Sequence, residues 1–473
     1  MNILSAFLEN APRWGDRPAI VAGDGETLTF GELERRSARL AAGWRARGVR
    51  AETRVLLALP LGLSLYAAIA ALWRLGATIV FPEPALGLRG LRNAAEATKP
   101  EAFLASGLYR ALALLPEIRR APIRLSLGDE AQGGESMFDG PAEHPALISF
   151  TSGSTGRPKA ILRTHGFLAA QNACIAQFLR PKTEPQVDLV AFPVFVIANL
   201  GLGVTSALPD WRLSRHDRAD AASIARLIEA RGATRALIPP SIAEIIAGGP
   251  PAPRLRTVFT GGGPVFPDTL KSLSDRLKTS DIVAIYGSTE AEPIAEQAFE
   301  DIRDDDWTKM REGDGLLAGR PIPQVRVELL GDEIIVAGDH VNKGYLDPSL
   351  DAETKLKRDG EIWHRTGDAG RFDAEDRLWL LGRVSAKAGR FYPFMAEAAA
   401  RKWPGVRQAA LVPASDPPTL AIAGDARGIG EWRERAQALG DVRIVAVDAI
   451  PLDRRHRSKV DYDALACVAR RRV

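Results

Sequence analysis

The sequence predicts an α/β protein with a large N-terminal domain of helix-covered sheets, a small β-rich module and a small α+β domain at the C-terminus. Its 473 residues exceed what one ordinary hydrophobic core holds, which favours two or three domains. Up to about residue 312, short apolar runs alternate with segments of helical periodicity, the pattern of parallel sheets covered by helices. Beyond that point, strand-like runs joined by tight turns come first and a mixed segment follows. We therefore expect an N-terminal domain at residues 1–383, with the β-rich module at about 312–383, and a C-terminal domain at 384–473 after a hinge near Arg383 to Ser385.

The individual elements follow from the spacing of apolar residues. Apolar positions at helical spacing, with charges on the other face, indicate a helix over residues 28–49. Short apolar runs bounded by turn residues indicate strands at 55–59, 78–81, 101–105 and 145–150. A helix followed by a strand is indicated at 223–240, and a strand ending in glycines at 255–263. In the later part the same criteria indicate strands within 325–338, 370–383, 407–414 and 419–425, and helices at 396–406 and 430–440.

The run from Val55 to Trp73 is uncharged and has the length of a membrane span. Pro60 and Gly62 divide it, so we interpret its first part as a buried strand and residues 64–76 as a buried helix closed by a glycine. We therefore expect no transmembrane segment.

Composition excludes several classes of function. The net charge of +3 is small for this length and gives no support for a nucleic-acid partner. Cys174 and Cys467 are far apart and match no metal-ligand spacing, which fits a reducing compartment. The first residues lack the basic start and apolar run of a signal peptide, so we expect a cytoplasmic location.

Residues 148–165, ISFTSGSTGRPKAILRTH, place a turn rich in glycine and hydroxyl side chains directly after an apolar strand. Gly153 and Gly156 allow positive φ and a close backbone approach, so successive N–H groups can form an anion-binding nest. Hydroxyl donors and a cation accompany them, at Thr151, Ser152, Ser154, Thr155 and Lys159. The stretch lacks the Gly-Lys-Ser/Thr run of the common P-loop, and a flexible linker is the alternative. Because apolar segments hold it at both ends, we predict phosphate binding.

A second candidate site lies at residues 283–295, VAIYGSTEAEPIA, where an apolar strand ends at Tyr286 and is followed by Gly287, two hydroxyls and Glu290. A carboxylate beside hydroxyls at the C-terminal end of a strand suits Mg²⁺ carried by a polyphosphate. A solvated loop is the alternative. Residues 258–267, VFTGGGPVFP, form another strand with a glycine-rich end, against which a flat ring could lie.

Two further segments carry charged candidates. In residues 364–383, Asp368 stands in an expected turn and Arg383 ends the next strand. A carboxylate suits a ribose diol, although a β-turn aspartate is the alternative. Lys459 stands in the basic run of residues 450–465, IPLDRRHRSKVDYDAL, for which a charged surface is the alternative.

Taken together and in this order, these segments resemble the adenylate-forming superfamily of acyl-CoA synthetases, luciferases and peptide-synthetase adenylation domains. The resemblance covers nearly the whole chain: TSGSTGRPK is its specific signature, and YGSTE, TGD and a late lysine follow in order. It implies a large N-terminal domain, a small mobile C-terminal domain and a site between them. It also implies that ATP, with Mg²⁺, and a carboxylate give an acyl-adenylate and pyrophosphate.

The resemblance assigns a role to each matching residue. The loop for the β- and γ-phosphates corresponds to Thr151, Ser152, Gly153, Ser154, Thr155, Gly156 and Lys159. The adenine-side loop corresponds to Gly261, Gly262, Gly263 and Pro264. Tyr286, followed by Gly287, would stack on adenine, Thr289 would touch the α-phosphate, and Glu290 would hold Mg²⁺. Asp368 and Arg383 match the ribose contacts, and Lys459 matches the catalytic lysine that reaches the carboxylate and α-phosphate oxygens.

Two departures from the common pattern concern the second step. Thioester-forming members have a longer segment after the Gly-Arg hinge, with a Gly-rich strand beside the pantetheine tunnel, whereas residues 382–399 look short and carry Ser385 at the hinge. Ser458 stands where glycine commonly precedes the catalytic lysine. The pattern RH-x-x-K-x-D is similar to the olefin β-lactone synthetases. Those enzymes adenylate long-chain β-hydroxy acids, whose own hydroxyl then closes the ring and expels AMP.

The resemblance therefore predicts activation of a fatty or 3-hydroxy fatty acid, followed by β-lactone formation. An acyl-CoA synthetase that uses CoA as second substrate is the main alternative, and a catalytically degenerate adenylate-binding protein is a further one. Expected partners are the carboxylic acid itself and enzymes of the same pathway.

An apolar, Gly-rich segment is the candidate acyl pocket. Its lining residues would be Phe192, Phe195, Asn199 and Leu200. Ordinary core packing is the alternative. A long acyl chain would suit the segment, because no charged residue lies between Val190 and Ser206.

Overall fold

The computed structural model describes residues 1–82, 86–151, 159–181, 185–211, 219–278, 280–453 and 458–471. The chain divides into two compact units. The first comprises Met1–Ser214, Leu227–Leu237 and Asp339–Lys355, and the second comprises Arg215–Arg226, Ile238–Gly338 and Leu356–Val473. The hinge expected near Arg383 falls within the second unit and stays a prediction.

Helices and strands alternate along the chain, which confirms the α/β class. The helices are α1 (Ser5–Trp14), α2 (Phe30–Ala46), α3 (Leu63–Arg74), α4 (Gly87–Thr98), α5 (Pro116–Arg119), α6 (His165–Leu179), α7 (Pro193–Leu202), α8 (Ala221–Arg231), α9 (Pro240–Ala247), α10 (Pro267–Leu277), α11 (Asp304–Glu312), α12 (Pro393–Ala400), α13 (Ile429–Leu439) and α14 (Tyr462–Arg470). The strands are β1 (Pro18–Val21), β2 (Thr27–Thr29), β3 (Arg54–Ala58), β4 (Thr78–Val80), β5 (Ala102–Ala105), β6 (Ile123–Leu125), β7 (Pro145–Thr151), β8 (Lys159–Thr164), β9 (Val187–Val190), β10 (Thr205–Ala207), β11 (Arg235–Ile238), β12 (Thr257–Gly261), β13 (Asp281–Ser288), β14 (Ala291–Ala298), β15 (Leu316–Pro321), β16 (Arg326–Leu330), β17 (Glu333–Ala337), β18 (Lys355–Arg358), β19 (Glu361–Phe372), β20 (Leu378–Arg383), β21 (Val406–Val412), β22 (Thr419–Gly424) and β23 (Arg443–Val447).

Local sequence explains where the first helices begin and end. At the start of α2, the Thr29 hydroxyl accepts from the Glu32 N–H and the Glu32 carboxylate accepts from the Thr29 N–H, a capping box that satisfies both backbone donors. Helix α3 is followed by Gly76 at φ +70°, the left-handed conformation that glycine adopts just past a helix end. The expected division of the uncharged run into a strand and a helix is confirmed. No helix in the described part of the chain is long and apolar enough to cross a membrane.

The first unit contains two largely parallel sets of strands. One follows the order β6-β5-β3-β4-β7-β8, in which only the β7–β8 pair is antiparallel. The other follows the order β2-β1-β10-β9-β11, in which only β1–β2 is antiparallel. Parallel strands are joined through covering helices, as the alternating sequence pattern predicts.

A late segment returns to the first unit and pairs with β8. Ile161 and Tyr345 form an antiparallel bridge, and the Leu346 N–H donates to the Ala160 carbonyl at 2.9 Å. The segment Asp339–Lys355 therefore covers β8, a strand that lies far earlier in the sequence.

The second unit begins with a parallel pair and continues as an antiparallel sheet. Its order is β12-β13-β14-β15-β20-β19-β17-β16, with β18 paired to β19, and only β12–β13 is parallel along that order. A separate sheet has the order β21-β22-β23. The strands and helices expected after residue 312 are confirmed, except that the helix expected at 396–406 lies at Pro393–Ala400 and is followed by turns up to β21.

One local expectation was wrong. Asp368 does not lie in a turn: it lies inside β19, where it pairs with Arg383 of β20. Gly367, at φ +72°, lies where the register between β17 and β19 shifts, so the strand bulges at this point and does not turn, and glycine tolerates the positive φ. Pairing of β19 with both β17 and β20 keeps the strand continuous.

Candidate active site

The two ends of the candidate phosphate loop face each other in the first unit. Thr151 at the end of β7 pairs with Lys159 at the start of β8, and both residues are buried. The loop is therefore closed at its base by an antiparallel strand pair. Its five other candidate residues lie outside the described residues: Ser152, Gly153, Ser154, Thr155 and Gly156.

Lys159 contacts an anion and an aromatic ring within the first unit. Its Nζ lies 3.3 Å from Glu353 Oε2 and 5.3 Å from the centroid of the Tyr345 ring. The Lys159 side chain is 7% exposed and that of Glu353 is 65% exposed. An incoming phosphate would compete with this exposed carboxylate for the ammonium. The sequence gives no signal for Glu353, because 194 positions separate it from Lys159.

In the second unit, the carboxylate of Asp368 contacts two other residues that the sequence assigned to the nucleotide site. The Tyr286 hydroxyl donates to Asp368 Oδ2 at 3.0 Å, and Arg383 Nη1 donates to Asp368 Oδ1 at 3.0 Å. The same guanidinium also donates to the Thr366 carbonyl at 2.9 Å. Each oxygen of Asp368 therefore has a fixed donor, and a carboxylate oxygen can accept a further hydrogen bond from a hydroxyl of a ligand.

The charges at this carboxylate are mutually dependent. Burial, and then the negative charge of Asp368, raise the pKa of Tyr286 well above its usual range, so the phenol stays a neutral donor. The Asp368 carboxylate in turn raises the pKa of Arg383. The Thr366 hydroxyl accepts from the Asp368 N–H at 3.1 Å and donates to the Ile334 carbonyl, which anchors the backbone below the carboxylate.

The expected magnesium residue lies at the tip of a hairpin. Strands β13 and β14 pair up to Ser288 and Ala291, so Thr289 and Glu290 form the two-residue connection, and the register shifts at Gly287. The sequence suggested that the strand ends at Tyr286, but it continues for two more residues, to Ser288. The Ser288 hydroxyl is buried without a hydrogen-bond partner in the described structure, which marks it as a residue that the sequence assignment missed.

The glycines of the adenine-side loop allow close approach of neighbouring atoms. A Cβ built on Gly261 would lie 2.5 Å from the Ile285 carbonyl oxygen, and one built on Gly263 would lie 2.5 Å from Ser458 Cβ. Gly262 adopts φ +77°. Pro264, which ends this loop, is partly exposed. No larger side chain fits at Gly261 or Gly263 without displacing backbone or Ser458.

The segment that carries Lys459 is held by Asp453. Asp453 Oδ1 accepts from the N–H groups of Ser458 and Lys459, at 3.2 and 3.1 Å, and the Asp453 N–H donates to the Lys459 carbonyl at 2.8 Å. Because Ser458 lies against Gly263, the exposed residue Lys459 stands next to the adenine-side loop.

The four candidate acyl-pocket residues divide into two kinds. Phe192 and Phe195 are half-buried and their rings meet edge to face at 5.7 Å between centroids. Asn199 is fully buried and its amide donates to Asp188 Oδ2 at 3.0 Å, while Leu200 is buried in the core. Asp188 is itself paired with Arg235. The Asn199 amide thus belongs to a buried polar network of the first unit.

Comparison with known proteins decides the family. The model of the AMP-binding enzyme family matches residues 7–346, which is well over half of the chain. The chain belongs to this family. It is an adenylate-forming ligase, and the resemblance noted from the motifs is confirmed.

Individual relatives span several activities of the family. The chain is 29% identical to an olefin β-lactone synthetase from Xanthomonas campestris, over 93% of this chain and 90% of that protein. It is 26% identical to a 2-succinylbenzoate–CoA ligase from Enterococcus faecalis, over 84% of this chain and 82% of that one. The fold matches O-succinylbenzoate coenzyme A synthetase from Bacillus subtilis in complex with ATP and magnesium, with a TM-score of 0.77 at 20% identity over 97% of this chain and 99% of that one.

The described residues are compatible with a magnesium ion that arrives with ATP. Among them, no cluster of three or more His, Cys, Asp or Glu side chains could hold a metal by itself. Magnesium bound to a nucleotide needs only one or two carboxylates, because phosphate oxygens and waters complete its octahedron. Glu290, at a hairpin tip directly after the hydroxyl-bearing residues Ser288 and Thr289, meets that requirement.

Proposed function

We propose that this chain converts a 3-hydroxy fatty acid to an acyl-adenylate and then to a β-lactone. The observation that carries the proposal is the similarity to an olefin β-lactone synthetase over 93% of this chain. The contact between Ser458 and Gly263 supports the first half-reaction, because it sets Lys459 beside the loop assigned to adenine.

In the first half-reaction, a carboxylate oxygen of the fatty acid attacks the α-phosphorus of ATP. The bond from carboxylate oxygen to phosphorus forms as the bond between the α-phosphorus and the bridging oxygen breaks, and pyrophosphate leaves. Negative charge grows on the phosphate oxygens during this step, so fixed cations and donors aimed at them lower the barrier.

The chain offers such groups at defined places. We assign Lys159 and the loop beginning at Thr151 to the β- and γ-phosphates, and Lys459 to the carboxylate and α-phosphate oxygens. Thr289 would donate to the α-phosphate and Glu290 would hold Mg²⁺, which neutralises phosphate charge when bound. Asp368, fixed by Tyr286 and Arg383, would accept from the ribose hydroxyls.

In the second half-reaction, the 3-hydroxyl oxygen attacks the acyl carbonyl carbon. The new carbon–oxygen bond closes a four-membered ring, the bond from that carbon to the AMP oxygen breaks, and the hydroxyl proton passes to water. This step needs no second substrate. Phe192 and Phe195 are the residues that we assign to the acyl chain.

The turn after β20 supports the lactone outcome. Ala388 and Phe391 exchange backbone hydrogen bonds at 2.9 and 3.0 Å, so Gly389 and Arg390 form a tight two-residue turn within the connection from β20 to α12. Thioester-forming members are expected to place a longer, Gly-rich strand beside pantetheine in this region. A two-residue turn leaves little backbone for that purpose.

Transfer to CoA is the second candidate, and the 26% identity to a CoA ligase over 84% of this chain favours it. One assay separates the two. The chain is incubated with ATP, Mg²⁺ and a library of fatty and 3-hydroxy fatty acids, with and without CoA, and products are identified by mass spectrometry. A β-lactone and AMP formed without CoA support the proposal, whereas a thioester formed only with CoA overturns it. Absence of pyrophosphate release with every acid would contradict the proposed substrate class.

A further inference from the structure

The Arg401 guanidinium, just past the end of α12, is held by two carboxylates of the second unit. Its Nε lies 3.1 Å from both oxygens of Asp268, and its Nη2 lies 2.9 Å from Asp268 Oδ2 and 2.7 Å from Glu244 Oε1. The side chain is only 11% exposed. Its carbon Cζ lies 4.4 Å from the centroid of the Phe266 ring, within the range of a cation–π contact.

The partners of Arg401 are themselves fixed. Asp268 is in the first turn of α10, and Glu244 of α9 accepts from the Thr269 hydroxyl at 3.1 Å. Phe394 of α12 meets Phe266 edge to face, with 6.0 Å between centroids. Helix α12 is thus fastened to the start of α10 by a charge cluster and an aromatic pair.

Packing connects α12 to the segment that carries Lys459. Glu397 of α12 accepts from the Leu411 N–H at 3.0 Å and so joins the helix to β21. Two buried residues of β21, Ala410 and Val412, pack in one cluster with Ile450, and the partly buried Leu452 and Val460 pack against that cluster. Leu452 and Val460 pair with each other on either side of Lys459 and its anchor Asp453. Packed side chains and paired backbone therefore form a continuous path from α12 to the segment that carries Lys459.

The surface on which Arg401 docks continues directly from the adenine-side loop. Gly263 contacts Ser458, and Phe266 and Asp268 follow Gly263 by three and five residues. The same short stretch thus receives the Lys459 segment at one point and α12 at another.

We infer that Arg401 is a positioning residue, which holds Lys459 in place beside the adenine-side loop during adenylation. The inference rests on the proposed role of Lys459, but not on whether the product is a lactone or a thioester. A planar guanidinium is required here, because it forms parallel hydrogen bonds with Asp268 while stacking on Phe266, which a lysine ammonium does not reproduce.

The test compares Arg401→Met and Arg401→Lys with Arg427→Met, whose side chain is 91% exposed and pairs with nearby Asp425. The readouts are the rate of ATP–pyrophosphate exchange, the KM for ATP and the thermal midpoint. Misplacement of a catalytic group by about 1 Å can cost about 10²-fold in rate. We expect a loss of that order in kcat for Arg401→Met, with the KM for ATP nearly unchanged, a smaller loss for Arg401→Lys, and none for Arg427→Met.

A double variant guards against a general loss of folding. Asp268→Asn combined with Arg401→Met should be no slower than the slower single variant, because both remove one interaction and coupled residues are not additive. Additive losses, or a kcat of Arg401→Lys and Arg401→Met equal to that of the parent, would overturn the inference. Lys459→Ala distinguishes failure of the proposed function from failure of the inference about Arg401. If Lys459→Ala retains ATP–pyrophosphate exchange, the proposed catalytic role of Lys459 is wrong. If Lys459→Ala loses exchange but Arg401→Met does not, only the positioning role of Arg401 is wrong.

Discussion

Asp368 and Arg383 stand opposite each other on β19 and β20, with 3.0 Å between the carboxylate oxygen Oδ1 and the guanidinium nitrogen Nη1. Strand pairing, rather than a flexible turn, sets this distance. The two side chains are therefore presented from a pair of adjacent strands, with Tyr286 donating to the other carboxylate oxygen.

The ribose assignment predicts the effect of changing Asp368. Asp368→Asn removes the charge that accepts from the ribose hydroxyls, and hydrogen bonds to charged groups are worth about 1.5–3 kcal/mol, so we expect the KM for ATP to rise about tenfold or more. Steady-state kinetics with varied ATP measures it. The exposed Asp275→Asn variant is the control, and an unchanged KM for Asp368→Asn would remove this residue from the nucleotide site.

The catalytic assignment predicts that Lys459→Ala separates binding from chemistry. Loss of a cation aimed at developing negative charge should lower adenylation by about 10³-fold or more, while ATP still binds. Pyrophosphate release gives the rate and calorimetry gives the affinity. Lys343→Ala, at an exposed position of the first unit, should behave as the parent. Turnover of Lys459→Ala at the parental rate would exclude the lysine from the mechanism.

The magnesium assignment predicts an altered metal response. Glu290→Gln removes the ionised ligand, so the Mg²⁺ concentration for half-maximal activity should rise at least about tenfold, since even groups that only orient a ligand change metal affinity that much. Titration of activity with Mg²⁺ tests this, with the exposed Glu300→Gln variant beside it. A titration curve that coincides with the parent's would move the metal to another residue.

The ion pair between Lys159 and Glu353 predicts that removing the carboxylate lowers the KM for ATP. If ATP must displace Glu353, Glu353→Gln should lower the KM for ATP by up to about fivefold, because the Glu353 carboxylate is largely exposed and an ion pair open to solvent is worth at most about 1 kcal/mol. The same measurement on Glu431→Gln, whose carboxylate pairs with Arg435 on α13, should give no change. A KM that stays constant or rises in Glu353→Gln would show that the carboxylate does not compete with phosphate.

Glu397 predicts a pH dependence of stability. Burial raises the pKa of Glu397 from 4.5 to about 7, so the folded state keeps a proton that the unfolded state releases over this interval. The contribution of Glu397 to the free energy of unfolding is therefore largest below pH 4.5 and is lost as the pH rises to about 7.

Glu397→Gln cannot ionise, and its amide oxygen can still accept from the Leu411 N–H. Its stability relative to the parent should increase between pH 4.5 and 7 and stay constant above. Urea unfolding at several pH values measures this difference in the free energy of unfolding. The control is Glu431→Gln, at an exposed position of α13, whose free energy of unfolding should change with pH as that of the parent does. A constant difference across this range would show that Glu397 ionises normally.

Sequence periodicity was sufficient for most of the strands and helices, because apolar spacing directly reflects which face of an element is buried. The expected turn at Asp368 was wrong, since one glycine with positive φ does not break a strand that is paired on both sides. The contacts of Lys159 with Glu353 and of Arg401 with Asp268 were not predictable, because 194 and 133 positions separate the partners. Long-range charge pairs leave no local periodicity.

The pairing of Tyr345 with Ile161 has a consequence for biosynthesis. The ribosome finishes β8 long before it delivers the segment that covers it, so during translation this strand has an open hydrogen-bonding edge. A nascent chain halted before residue 339 would expose that edge to self-association. Shortened forms of the protein that stop there should aggregate, even though every residue of the phosphate loop is present in them.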